Sequence, residues 1–188
     1  MSRPYTCGMK TSIVYLLALV CLLASGPAYA GDLTLFGGFH HPGKVTLSSA
    51  GTLPGTVVQL TDPKDFGVFG IRFNTSESFI GFENTLAYSP NFLDSDAFAI
   101  IQGSNLIIGV PGLRIRPYGT AGLGFVFTGG EGPASFGNKF SFNYGGGVKI
   151  SLVGPLGLRG DVRGYTIPGV QDQNVNVFET SVGLLIGF

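Results

Sequence analysis

Residues 179–188, ETSVGLLIGF, read as a strand with two unlike faces. Counted back from Phe188, every second side chain is Ile186, Leu184, Val182, Thr180 and Phe178. The interleaved set is Gly187, Leu185, Gly183, Ser181 and Glu179. Successive side chains of an extended strand point to opposite sides of a sheet. One face is therefore apolar and ends in an aromatic, while the other is mostly small or polar and carries a charge. A chain that ends on such a strand behind a secretory leader reads as the closing strand of a barrel that spans an outer membrane.

The leader is at the other end. Arg3 and Lys10 precede an apolar run over residues 13–23, and Ala28-Tyr29-Ala30 has the small-x-small form of a cleavage site. Residues 1–30 are thus expected to be a cleaved signal peptide and 31–188 a single barrel domain. The run is too short for a membrane-spanning helix, which needs about 20 residues. Both cysteines, Cys7 and Cys21, lie in the leader, so the exported part holds no disulfide or thiol chemistry. Without Arg3 and Lys10 the 11 basic residues fall to 9 against 11 acidic ones, a balance of −2 that argues against a nucleic-acid partner.

Eight segments of about ten alternating residues, separated by turns, carry the outer-membrane pattern. They are 32–40, 66–74, 78–88, 97–110, 113–128, 139–152, 156–165 and 176–188. The sixth is the most regular: Phe140, Phe142, Tyr144, Val148, Ile150 and Leu152 alternate with Lys139, Ser141, Asn143, Gly145, Gly147, Lys149 and Ser151. In the third, Asn84 is out of place among Ile80, Phe82, Leu86 and Tyr88. The fourth has the poorest period; Leu106, Ile108 and Val110 are placed outward and Asn105 inward. The connections alternate in length. Long ones are expected over 41–65, 89–96, 129–138 and 166–175, and short ones over 75–77, 111–112 and 153–155. With eight strands both termini fall on the short-turn rim, which is the periplasmic one. The reading is all-β: an eight-stranded antiparallel transmembrane β-barrel.

Alternation alone does not separate a membrane barrel from a soluble, lipocalin-like one. The second face does. It carries Arg72, Glu83, Lys149, Arg159, Asp161, Arg163 and Glu179, and burying such a set is costly unless the groups pair. The apolar face is bulky and has aromatics near strand ends, Phe73, Tyr88, Phe127, Phe140 and Phe188, as interfacial girdles do.

Three stretches carry a family resemblance: Arg116-Pro117-Tyr118 with residues 119–124 (GTAGLG), residues 143–148 (NYGGGV), and residues 157–165 (GLRGDVRGY), completed by the terminal Phe188. With these the chain resembles the small outer-membrane β-barrel domain proteins of the OmpA/OmpX type, well over about the last 75 residues and by strand pattern before them. The resemblance implies an eight-stranded barrel with periplasmic termini, inserted by the barrel assembly machinery through a signal in the last strand. Here that signal falls on Phe178, Val182, Leu184, Ile186 and Phe188. No peptidoglycan-binding domain follows Phe188, so a wall-anchoring role is not expected.

Eight strands enclose an interior just wide enough for side chains to fill. The inward charges are therefore expected to form ion pairs that plug the lumen, Arg72 beside Glu83 and Glu179 beside the row Arg159, Asp161, Arg163. A narrow polar path is the alternative. His40-His41 sits at a loop edge without a second cluster, and neither a catalytic nor a metal site is expected there. The glycine runs lack the Lys-Ser/Thr ending of a phosphate loop and instead permit close strand approach. The expected role is non-enzymatic and needs no cofactor. It is structural or loop-mediated, serving envelope integrity or adhesion, with outer-membrane lipid and an extracellular surface ligand as partners.

Overall fold

The computed structural model describes residues 31–50, 57–61, 63–75 and 79–188; the leader, the tip of the first loop and most of the turn at 75–77 lie outside these residues. Eight strands form a closed barrel, and two more form a hairpin at its mouth. The strands are β1 (Asp32–Pro42), β2 (Thr46–Ala50), β3 (Val57–Thr61), β4 (Phe66–Asn74), β5 (Ile80–Pro90), β6 (Ala97–Gly109), β7 (Ile115–Gly130), β8 (Asn138–Ser151), β9 (Leu156–Val170) and β10 (Gln173–Gly187). Around the wall the order is β1-β10-β9-β8-β7-β6-β5-β4, and β4 returns to β1. Every neighbouring pair is antiparallel.

Closure follows from the environment the exterior demands. A sheet in hydrocarbon has no water to satisfy its edges, so only a closed wall spans. The first and last strands make the seam, from Asp32 opposite Gly187 to Pro42 opposite Val177. It ends in two backbone bonds, Gly31 N–H to Phe188 O at 2.9 Å and Phe188 N–H to Gly31 O at 3.0 Å. The tight curvature needs glycine where strands crowd. A Cβ on Gly145 would sit 2.2 Å from the Val162 carbonyl oxygen, and one on Gly124 equally close to that of Gln102.

The pleat sorts side chains as alternation dictates. Large apolar residues face out all round, among them Phe82, Leu123, Val182 and Phe188. Aromatics meet at both ends of the belt: Phe73 stacks on Phe188 at 5.8 Å at the short-turn rim, and Phe69–Tyr88 and Phe140–Phe142 meet toward the other. The poorly periodic segment folds as regularly as the rest. Along β6, Ala97, Ala99, Ile101, Gly103, Asn105 and Ile107 are buried, with Leu106 and Ile108 outward. Its pattern is blurred because apolar residues occupy both faces.

One expected loop is not a loop. Residues 166–175 continue β9 and β10 to a tight turn at Gln171 and Asp172, whose φ values of 50° and 60° are those of a hairpin turn. Along this extension Ile167, Val170, Val175 and Val177 keep pointing inward. At about 3.3 Å per residue and 45° tilt, a 15-residue strand rises about 35 Å, more than the apolar band of about 25 Å. The β9–β10 hairpin therefore projects beyond the membrane.

The first loop leans on that projection. Its β2–β3 hairpin is held by side-chain amides: Gln171 Oε1 accepts from Ser48 N–H at 2.8 Å, Gln171 Nε2 donates to Ser48 O at 2.6 Å, and Gln173 Nε2 donates to Thr46 O at 2.9 Å. Gln171→Asn keeps a residue that tolerates positive φ but shortens the arm. It should raise trypsin cleavage at Lys44 and Lys64 about tenfold, the cost of about one net hydrogen bond. Unchanged cleavage would mean that the amides do not hold the hairpin.

Candidate functional site

The interior has two storeys. The lower one, toward the short turns, is charged. Asp32, Arg72, Glu83, Lys149, Arg159, Asp161, Arg163 and Glu179 are all buried there, four acids against four bases. The formal charges of this buried set cancel.

Asp161 on β9 is the hub. Arg72 Nη1 reaches its Oδ2 at 3.0 Å, Arg159 Nε the same oxygen at 2.8 Å, and Arg163 Nη2 its Oδ1 at 2.9 Å. Tyr118 donates its hydroxyl hydrogen to Asp161 and accepts from Arg159 Nε at 2.8 Å. Glu83 takes Arg159 at 2.5 Å and Arg163 at 2.7 Å. Glu179 pairs with Arg72 and accepts hydrogen bonds from Ser181 at 2.7 Å and Tyr165 at 3.0 Å. Arg72 also lies 3.6 Å from the Phe36 ring centroid, in cation–π contact. Below the hub, Lys149 pairs with Asp32, to which Asn74 donates at 3.1 Å.

The geometry changes two expectations. Arg72 and Glu83 do not pair with each other. Arg72 stands opposite Thr85 in the β4–β5 register, and each charge reaches across the lumen instead, Arg72 to Asp161 and Glu179, and Glu83 to Arg159 and Arg163. His40 is not at a loop edge. β1 runs two residues past it, and its ring is fully buried, with Nε2 3.4 Å from Glu179 Oε2. His41 faces out and meets Asp65 at 2.7 Å. Sequence reasoning left Asp32, His40 and Tyr118 out of the network. Their signal was there: each lies an even number of residues from an inward position on its own strand.

The upper storey is apolar. Phe36, Phe66, Val68, Ile101, Val126, Ile167, Val175 and Val177 form a core inside the mouth, covered by Val45 and Leu47 of the first loop and by Phe92 and Leu93 of the β5–β6 connection. Between His40, Phe92, Ile101, Val126 and Tyr165 no space remains for a water molecule. Leu93 adopts φ 60°, which costs a branched residue about 1–2 kcal/mol. Burying its side chain contributes about 1.5–3 kcal/mol, which outweighs the strain. Polar patterning could not reveal this cap, because its parts come from loops.

The expected assembly-signal residues face the other way. Phe178, Val182, Leu184 and Phe188 are exposed on the outer wall of β10, and Ile186 is half-buried between them. Among the described residues no three His, Cys, Asp or Glu side chains converge to hold a metal ion.

A closed antiparallel wall, an apolar belt between aromatic rims and a packed, charge-balanced interior define a class, the eight-stranded transmembrane β-barrel. A soluble barrel of the lipocalin kind inverts this arrangement, with its polar face outside. Solved structures of small outer-membrane barrels share the fold. The Neisserial surface protein A structure superposes with a TM-score of 0.60 at 17% identity, over 85% of this chain and 97% of that one. The outer membrane protein OprG from Pseudomonas aeruginosa gives 0.53 at 18% identity, over 84% and 96%. At these identities the likeness is one of fold. No family model matches the chain, and no curated protein matches it in sequence.

Proposed function

We propose that the chain is a non-conducting barrel of the bacterial outer membrane that acts through the surface raised at its outer rim, as a structural or adhesive element of the envelope. The observation that supports this reading is the filling of the interior, a buried ion-paired cluster in the lower storey and a packed apolar core above it. In this reading the two storeys together block an ion path, and the work falls to the hairpin and loops. The first 30 residues are a cleaved leader in this reading, and the outward face of β10 is what the assembly machinery takes hold of. The name surface protein, carried by one structural neighbour, supports a role at the cell exterior.

Two measurements test it. In planar bilayers the purified barrel should show no steady conductance; a stable open level would favour the narrow pore. On intact cells, an impermeant maleimide should label Thr46→Cys, exposed on the hairpin, but reach Leu113→Cys at a short turn only after permeabilisation. The reverse pattern would sink the proposed topology.

A further inference from the structure

The lipid-facing wall is not uniformly apolar. On adjacent strands β5 and β6, Asn84, Ser104 and Gln102 point outward, since the residues on either side of each are buried. Asn84 stands directly opposite Ser104. Ser104 donates to Asn84 Oδ1 at 2.8 Å, and Gln102 Nε2 donates to Ser104 Oγ at 3.2 Å. The trio lies inside the apolar belt, with Phe82, Leu106 and Ile108 on one side and Leu86, Tyr88 and Ile100 on the other, all exposed. Asn84 Nδ2, a donor, and Gln102 Oε1, an acceptor, have no protein partner among the described residues. Hydrocarbon offers neither of them one, and an unmet polar group there is costly.

We infer that this wall is the face along which two copies of the chain associate in the membrane. A bilayer fixes which way up the barrel stands, so two copies meet face to face only about a two-fold axis along the membrane normal. An axis passing between β5 and β6 sets β5 of each copy against β6 of the other at matching depth. Each copy then presents an Asn84 donor and, two residues along the register, a Gln102 acceptor to the same pair on the other copy. The patch is self-complementary, and lipid tails are not. Next to it on β7 the outward residues are Gly119 and Ala121, opposite Ile108 and Leu106, and their lack of bulk lets a second wall approach.

The inference rests on residence in a bilayer, and the test separates the two. Residues 31–188 contain no cysteine, so Leu106→Cys beside the trio and Val182→Cys on the far wall are single-thiol probes. In isolated outer membranes, copper phenanthroline should convert Leu106→Cys into a species of twice the monomer mass and leave Val182→Cys monomeric. Adding Asn84→Leu and Gln102→Leu should weaken association about tenfold, read as the loss of the cross-linked band across a dilution series in lipid, while the barrel stays heat-modifiable on gels. A membrane-bound barrel that cross-links no better at Leu106→Cys than at Val182→Cys overturns the pairing alone. A cross-link to a chain of different mass also overturns it, as does dimerisation unchanged by the two leucines. Absence of the protein from the membrane fraction would instead remove residence itself.

Discussion

Asp161→Ala should lower the unfolding free energy of the barrel in lipid vesicles by about 3–5 kcal/mol, the cost of removing one partner from a buried ion pair. Asp161 touches three guanidinium groups and accepts the Tyr118 hydroxyl hydrogen. Its loss upsets the balance of four acids and four bases. Arg159 and Arg163 keep Glu83, and Arg72 keeps Glu179, so the deficit is one negative charge shared among three cations rather than three bare ones. Asp161→Asn, which keeps shape and some hydrogen bonding, should fall between the variant and the parent. Urea titration followed by gel mobility of the folded form measures all three. Glu131→Ala, on an exposed loop, is the control and should stay within about 0.5 kcal/mol of the parent. If Asp161→Ala were no worse than this control, the lower storey would not be the paired network that the geometry describes.

The second large effect belongs to the outer wall. Val182 is 71% exposed and lies opposite Gly37 of β1 and Gly160 of β9, between Leu184 and Thr180 on the outer face of β10. In water an exposed valine tolerates arginine at almost no cost. At the middle of a bilayer the same change costs about 2–4 kcal/mol. Val182→Arg in the vesicle assay therefore reports the medium around the wall. A loss below about 0.5 kcal/mol would place the side chain in water and defeat the membrane reading.

The fold was largely legible because lipid imposes a strict pattern. An outward wall with no water is apolar at most of its alternate positions, so segments such as 66–74 stand out and match β4 end to end. Legibility failed where that demand stops. Above the membrane, β9 runs on through Pro168 and Gly169, residues that signal turns in short chains but here lie in a projecting hairpin with β10. β6 carries apolar side chains inward as well, because its upper half lines the dry core. For the candidate site, alternation identified which charges point inward. It could not say which charge meets which, since that depends on the shear of the wall and on reach across the lumen. Arg72 lies next to β5 and yet pairs with β9 and β10. The apolar cap, assembled from Val45, Leu47, Phe92 and Leu93 on two separate loops, has no period to read.

The seam between β1 and β10 joins residues at opposite ends of the described chain, Asp32 to Gly187. A ribosome therefore finishes one side of that joint long before it begins the other. Until residues 173–187 exist, every partly made chain has two raw edges and cannot be a stable occupant of a bilayer. Membrane insertion is in this sense an all-or-nothing reading of the message: a frameshift or early stop anywhere upstream yields no smaller working barrel, only an open sheet for proteases to remove. The order of synthesis and the geometry of closure together act as a proofreading step, and the last strand is where it is applied.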